Sequence, residues 1–176
     1  GAYLGYNMGL RDSNASIVDH LLEHKFCGLA RGPAEFGPRA LGNRSLIADP
    51  RGPEIKALIN TIKHREQFRP FAPAILEEFA NSVFKMPIKS TPYMQFIAPC
   101  TKYGSYPAIV HYDNTSRVQT VPKDGSPFRL LLEEWYARTG CPMLLNTSLN
   151  IKGKPMVNTH QDADDWEAKY GVKIFR

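Results

Sequence analysis

Cysteine is scarce and poorly spaced: Cys27, Cys100 and Cys141 are an odd number, and no two of them stand in a CxxC pair. This excludes a disulfide framework and a thiolate zinc site. Buried, reduced thiols in a cytoplasmic protein are the expectation. The common catalytic signatures are missing as well. Without GxxxxGKS/T there is no Walker-type phosphate loop, and without GxGxxG no dinucleotide-binding turn. Without GxSxG nothing places Ser148 on the strained turn it would need to form a hydrolase triad with His111 and Asp113. HExxH is absent too, which removes the zinc protease reading. No apolar run approaches the ~20 residues that span a bilayer. Gly1 to Leu10 carry neither charge nor an apolar h-region, so no signal peptide is expected. Gly1 in place of an initiator Met leads to the expectation of either an added leading residue or a domain cut from a longer chain. Internal repeats and low-complexity tracts are also lacking.

The 176 residues, 43% hydrophobic and 22% charged, suit one soluble α/β-sized domain over 1–176. A chain of this length buries roughly 70% of its unfolded surface and needs no metal or disulfide to hold it. The net charge of +5 indicates an anionic partner but not which one: a phosphate-bearing small molecule, nucleic acid or an acidic protein surface. The distribution says more than the total. Arginines fall among Gly, Pro, Ser and Asn, where flexible backbone favours bidentate contacts to phosphate or carboxylate.

Periodicity predicts a first helix over Asn14–Phe26, with Ser13 or Asn14 as cap, then a strand over Cys27–Arg31 and an ordered loop over Gly32–Asn43. A short strand follows over Ser45–Ala48 and a helix over Pro53–Lys63, with Ile55, Leu58, Ile59 and Ile62 inward. Arg69–Pro73 must be extended, and Ala74–Leu76 is a strand followed by a short helix. Strand-like segments are Tyr93–Ala98, Ala108–Tyr112 and Arg117–Val121. The clearest helix is Phe128–Arg138. An apolar strand over Pro142–Leu145 runs into a polar cluster, Asn146 to Asn150. A helix near Gln161 and a strand over Val172–Phe175 close the chain. The sum is an α/β fold with a mixed, twisted sheet flanked by helices.

Four segments carry chemistry, and each has a plainer reading beside it. Glu35–Ser45 combines glycines, which let backbone approach a ligand, with Arg39, Arg44, Asn43 and Ser45; a Gly/Pro turn with surface ion pairs fits equally well. In Ile62–Phe71, Lys63 can simply complement a helix C-terminus, whereas Arg69 between Phe68 and Pro70 calls for an anion or a buried acid. In His111–Gln119, Asp113-Asn114 marks a turn that projects Arg117; His111 and Asp113 are read as pinning that turn rather than as an acid–base or metal pair. In Leu144–Asn150, Asn146, Thr147, Ser148 and Asn150 form a neutral polar cradle at a strand's carboxyl end, where α/β sheets bind ligands. The plainer reading there is a helix cap, weakened because no helical pattern follows.

Read together, EFGPRALGNRSLIADPR, IKHREQFRPFAPAIL, AIVHYDNTSRVQTV and PMLLNTSLNIKGKPMV resemble the carboxy-terminal region of the NodU/TobZ-type carbamoyltransferases. The likeness covers nearly the whole chain, with four motifs in the family's order. It implies a YrdC-like fold and a domain that converts carbamoyl phosphate and ATP, with Mg²⁺, to carbamoyl adenylate. It also implies a separate N-terminal metal-binding transferase domain as partner, which would pass the carbamoyl group to a hydroxyl acceptor. Positions matching the family's ligand contacts are Arg39, Lys63, Arg69, Arg117, Ser148 and Asn150. No metal ligand is expected in this chain itself, and no membrane partner.

On that resemblance the chemistry is attack of carbamate on the α-phosphate, so the protein positions groups and stabilises charge. Lys63, Arg69 and Arg117 take the catalytic part, on phosphate oxygens and developing negative charge. Arg39, Asn146, Thr147, Ser148 and Asn150 bind substrate. Pro33 replaces an Arg of the family pattern, with Arg31 a candidate substitute, while Leu149 and Lys154 stand where Phe and Glu are usual. The competing expectation is a basic RNA-binding domain of the same fold. Nucleic acid is disfavoured, because the cations cluster in tight motifs with few exposed aromatics for base stacking.

Overall fold

A computed structural model of the protein describes residues 10–31, 44–64, 70–87, 96–149 and 160–176. Its elements in order are α1 (Leu10–His24), β1 (Phe26–Ala30), β2 (Arg44–Ala48), α2 (Ile55–Ile62), β3 (Ala72–Leu76), α3 (Ala80–Val83), β4 (Phe96–Pro99), β5 (Thr115–Val121), α4 (Pro127–Thr139), β6 (Met143–Ser148), α5 (His160–Tyr170) and β7 (Ile174–Phe175). The strands form a seven-stranded sheet in the order β4-β5-β3-β6-β2-β1-β7. Two of its pairings, β3–β5 and β1–β7, are parallel and the other four antiparallel, so the sheet is mixed.

Local chemistry explains most of these boundaries. Ser126 caps α4 by accepting from Arg129 N, and Pro127 occupies the first turn, where a missing N–H costs nothing. Gly140, at φ 73°, ends the helix in the left-handed conformation that a Cβ disfavours, and its N–H returns to Tyr136 O. Phe128, Leu131, Leu132 and Trp135 form the buried stripe of α4, which packs on β3, β6 and α1. Strand β3 contains Pro73, which has no N–H to give, and its described pairing with β5 begins only at Ala74. At the far side, Gly28 lets β7 approach β1: a Cβ there would lie 2.9 Å from Ile174 Cγ1.

Several expectations are corrected. Helix α1 starts at Leu10, so Ser13 and Asn14 lie inside it; Asn14 is buried and its Oδ1 accepts from Arg31 Nη1 at 2.9 Å. Pro53 precedes α2, whose cap is Glu54, and Leu58 is exposed. Ala108–Tyr112 is no strand: Pro107–Ile109 is a 3-10 turn, and the chain turns again before β5. The antiparallel partner of β5 is β4, fifteen or more residues earlier in the chain. The cysteines are free and buried, and burial pushes all three thiols up, so none is poised as a thiolate. No helix among the described residues is long and apolar enough to cross a membrane.

A buried cation anchors α4. Arg129, 1% exposed, donates to Glu78, to Glu133 and to the Val121 carbonyl. Arg129's hydrogen bond holds the Glu78 carboxyl below the usual carboxylate range. A depressed folded-state pKa contributes stability that is present above the unfolded value, about 4.3, and is lost as pH falls through the folded one. Glu78 is more than a third exposed, so solvent screens the pair. Denaturant melts from pH 6 down to pH 3 are therefore expected to show Glu78→Gln less stable than wild type at pH 6, with the gap closing below about pH 4.5. A gap constant with pH would sink this assignment.

Candidate functional site

One end of the sheet gathers the residues that the sequence singles out. It is formed by the carboxyl ends of β1 and β6 and the amino ends of β2, β3 and β5. Lys63 enters from α2. That helix stops at Lys63 because His64 takes a left-handed conformation, φ 55°, uncommon for a residue with a side chain. Lys63 is 5% exposed, and its Nζ donates to the Ser148 carbonyl on β6 at 2.7 Å. A lysine serving only the helix dipole would stay in water. This one is carried into the sheet end, where burying a cation is costly without hydrogen-bonding partners or an anion.

The strand read over Pro142–Leu145 extends further: Asn146, Thr147 and Ser148 of the polar cluster are the second half of β6 itself. Alternation divides it. Asn146 and Ser148 share one face, opposite Ile47 and Ser45 of β2, whereas Thr147 points to the other face, opposite Leu46. Across the sheet, Asn146 pairs with Ala72, and Ala74 pairs with Gln119 and Leu144. Arg117, two residues before Gln119, therefore shares that face and lies level with Asn146. Two strand spacings separate them, about 10 Å. Between them β3 offers only the methyls of Ala72 and Ala74, which leaves a shallow trough with an exposed arginine on one bank and the amide and hydroxyl of Asn146 and Ser148 on the other.

Two further cations lie at this end. Arg31, closing β1, and Arg44, opening β2, are both buried, and Arg44 Nη1 reaches the Arg31 carbonyl at 3.4 Å. Leu149 N donates to the Arg44 carbonyl at 3.0 Å, which fixes β6 against β2 just beyond Ser148. Arg39, Arg69 and Asn150 lie outside the described residues, as do the loop Gly32–Asn43, Pro33 and Lys154. Of the eight expected site residues, the structure thus brings together Lys63, Arg117, Asn146 and Ser148, and turns Thr147 away.

The turn before β5 is built as expected. Asp113 Oδ1 accepts from Thr115 N at 3.1 Å and from Thr115 Oγ1 at 2.7 Å, and these bonds lower its carboxyl pKa. Asn114 sits at φ 63°, where an Asx residue is tolerated. Phe71 N donates to Ala108 O at 3.0 Å, tying this connection to the start of β3. Tyr112 at the turn is fully exposed and Tyr103 half-exposed. Among the described residues no group of three or more His, Cys, Asp or Glu could hold a metal ion.

Gln119 closes the third segment, and the residue chemistry of that segment does not point to it. It is 6% exposed, and its Oε1 accepts from Asn146 Nδ2 at 3.2 Å across β3. The signal was available: with Arg117 on a strand, period-two alternation puts Gln119 on the same face.

Comparison with known proteins follows the same lines. A family model described as "Carbamoyltransferase C-terminus" matches residues 18–175. The nodulation protein NolO of Bradyrhizobium diazoefficiens is 41% identical over 158 residues, which cover 86% of this chain and 29% of that protein. The chain thus spans less than a third of the length of this relative. Among solved structures, full-length HypF in its phosphate- and nucleotide-bound form superposes with a TM-score of 0.67 at 16% identity, over 93% of this chain and 24% of that one. P. abyssi Sua5 superposes with a TM-score of 0.61 at 17% identity, over 94% and 48%. At these identities the structures establish the fold, a YrdC-like mixed sheet flanked by helices, as the motifs imply.

Proposed function

The chain belongs to the carbamoyltransferase C-terminal family, and from that premise we propose that it binds carbamoyl phosphate and ATP and forms carbamoyl adenylate. The observation that carries this reading is the trough at one sheet end, with Lys63 buried on the Ser148 carbonyl and Arg117 level with Asn146 across Ala72. Cations beside neutral hydrogen-bonding groups suit a ligand with an anionic phosphate at one end and a neutral carbamoyl group at the other. The solved structure of HypF with phosphate and nucleotide bound lends support from the same fold.

In this reading water hydrolyses carbamoyl phosphate to carbamate and phosphate, and a carbamate oxygen then attacks the α-phosphorus of ATP, breaking the α–β phosphoanhydride bond and expelling pyrophosphate. Such a step asks the protein for alignment and for charge stabilisation rather than for a nucleophile. Arg117 and Lys63, with Arg69, take the phosphate oxygens and the charge that develops on them. Ser148 and Asn146, with Arg39 and Asn150, orient the carbamoyl end. Mg²⁺ arrives with ATP, whose phosphates and bound waters supply most of its ligands. Transfer to a hydroxyl acceptor falls to a partner domain N-terminal to this one in the whole protein.

The test is pyrophosphate release from Mg·ATP by the 176-residue chain, with and without carbamoyl phosphate. Release dependent on carbamoyl phosphate, and reduced about tenfold or more by Arg117→Ala through loss of a charge-assisted contact, is the expected result. Release indifferent to carbamoyl phosphate would remove the adenylation step from this domain.

A further inference from the structure

Resting on the reading above, we propose that Ile97, on the edge strand β4, is a substrate-binding residue that carries the base of the nucleotide, so that the site extends past Arg117 onto β4. The register places it. Ile97 pairs directly with Arg117 across β4 and β5, so both side chains stand on one face, with Cβ atoms about 5 Å apart. Both are exposed, Ile97 at 61%. Arg117 therefore stands between two surfaces: the trough over β3 and β6 on one side, and the outer face of β4 on the other. Pro99, the next residue of β4 on that face, is also exposed and apolar.

A lone exposed aliphatic residue is ordinary. Ile97 is set apart by its neighbour and by its strand. The other exposed large aliphatic side chains among the described residues, Leu58 and Leu130, are only 36% and 39% exposed and lie on helices. Edge strands usually carry charge at such positions, because an apolar edge invites another chain. Here the edge itself is taken close to Ile97. Pro99 has no N–H, its carbonyl accepts from Lys85 N at 2.9 Å, and Phe84 bridges to Cys100. An added strand is thus disfavoured, and what stays open is the face. A ligand there meets an aliphatic surface one strand spacing, about 4.8 Å, from the strand that carries a guanidinium. A nucleotide has the matching pattern, anionic phosphates joined through a ribose to a flat base with apolar ring faces. With phosphate oxygens on Arg117, the base is better placed over β4 than over the polar trough. Contact with Ile97 and Pro99 removes apolar surface from water on both partners. Carbamoyl phosphate and inorganic phosphate chains have nothing to place there.

The experiment is equilibrium titration of the 176-residue chain with three ligands: Mg·ATP, magnesium tripolyphosphate, which lacks ribose and base, and carbamoyl phosphate. The proteins are wild type, Ile97→Thr, Ile97→Phe and Leu130→Gln. Ile97→Thr keeps the β-branched shape, and at an exposed strand position it should leave the fold intact, as a thermal melt will show. It is expected to weaken ATP about five- to tenfold, the range for losing much of one aliphatic contact, and to change the other two ligands less than about twofold. Ile97→Phe offers a larger apolar face and should bind ATP at least as tightly as wild type. Leu130→Gln, on α4, should match wild type for all three ligands. The ratio of ATP to tripolyphosphate affinity is the readout, since general damage to the anion site would weaken both. Unchanged ATP affinity in Ile97→Thr, or equal weakening of ATP and tripolyphosphate, overturns this proposal and leaves the proposed function standing. So does an Ile97→Phe variant that loses ATP as Ile97→Thr does. A folded wild type that binds neither ATP nor carbamoyl phosphate overturns both.

Discussion

Replacing Lys63 by Met is expected to weaken carbamoyl phosphate binding by about 10- to 100-fold, the equivalent of one lost charge-assisted contact. Lys63 is 5% exposed and ends on the Ser148 carbonyl, so its charge sits inside the strand end rather than in solvent. A charge in that position acts on a bound anion with little screening. Met has similar length and an apolar stem, and losing a buried cation carries no desolvation cost of its own. The stability change should therefore be small, about 1–2 kcal/mol for the Ser148 carbonyl left without its donor. A titration paired with a denaturant melt separates the two effects. Unchanged affinity in a folded Lys63→Met variant would return Lys63 to a structural role.

Trp135→Ala is expected to cost about 3–5 kcal/mol of folding stability, the range for removing a fully buried large aromatic. The Trp135 side chain is completely buried, its Nε1 donates to Met143 O at 3.0 Å, and the Arg51 guanidinium lies 5.3 Å above its ring centroid. Arg51 is itself held by a bidentate contact to buried Asp49, at 2.9 Å from both oxygens. Loss of the ring opens a cavity beneath α4 and leaves the Met143 carbonyl, at the start of the strand that ends in Asn146 and Ser148, with the weaker Cys141 thiol donor at 3.4 Å in place of the indole. Trp135→Phe keeps most of the packing and should cost about 1–3 kcal/mol, for the lost ring volume and the lost indole hydrogen bond. In a chain whose total stability is about 5–15 kcal/mol, the alanine variant loses a large share, and thermal melts will show it. A loss below about 1 kcal/mol for Trp135→Ala would contradict the packing described.

The sequence was most legible where several local signals agreed. Helix α4, read over Phe128–Arg138 from its apolar stripe, spans Pro127–Thr139, with Ser126, Pro127 and Gly140 fixing its ends in agreement with that stripe. Misreadings came where a local pattern met a tertiary demand. Ala108–Val110 is apolar and partly β-branched, which resembles a strand, yet Pro107 opens a 3-10 turn there, and the apolar residues are buried as part of the connection to β5. The strand read as ending at Leu145 continues through Asn146 to Ser148, whose polar side chains fit between β2 and β3 because they pair with residues as small as Ser45 and Ala72.

For the site, residue chemistry and motif likeness picked out Lys63, Arg117, Asn146 and Ser148, and the strand register explains their convergence. The cluster gave no sign that Thr147 faces away, because that depends on β6 continuing through it. Alternation from Arg117 puts Gln119 on the same face, and the register of β3 between β5 and β6 adds that it reaches Asn146.

The most direct test of the central claim is isothermal titration of the 176-residue chain with carbamoyl phosphate, and with ATP plus Mg²⁺, at low and moderate salt. Saturable binding of both ligands, with carbamoyl phosphate affinity cut about tenfold or more by Arg117→Ala, is the outcome expected of a charge-assisted anion site at the strand ends. A folded chain that binds neither ligand, yet binds RNA with a steep salt dependence, would contradict it and identify the basic charge as a nucleic-acid footprint.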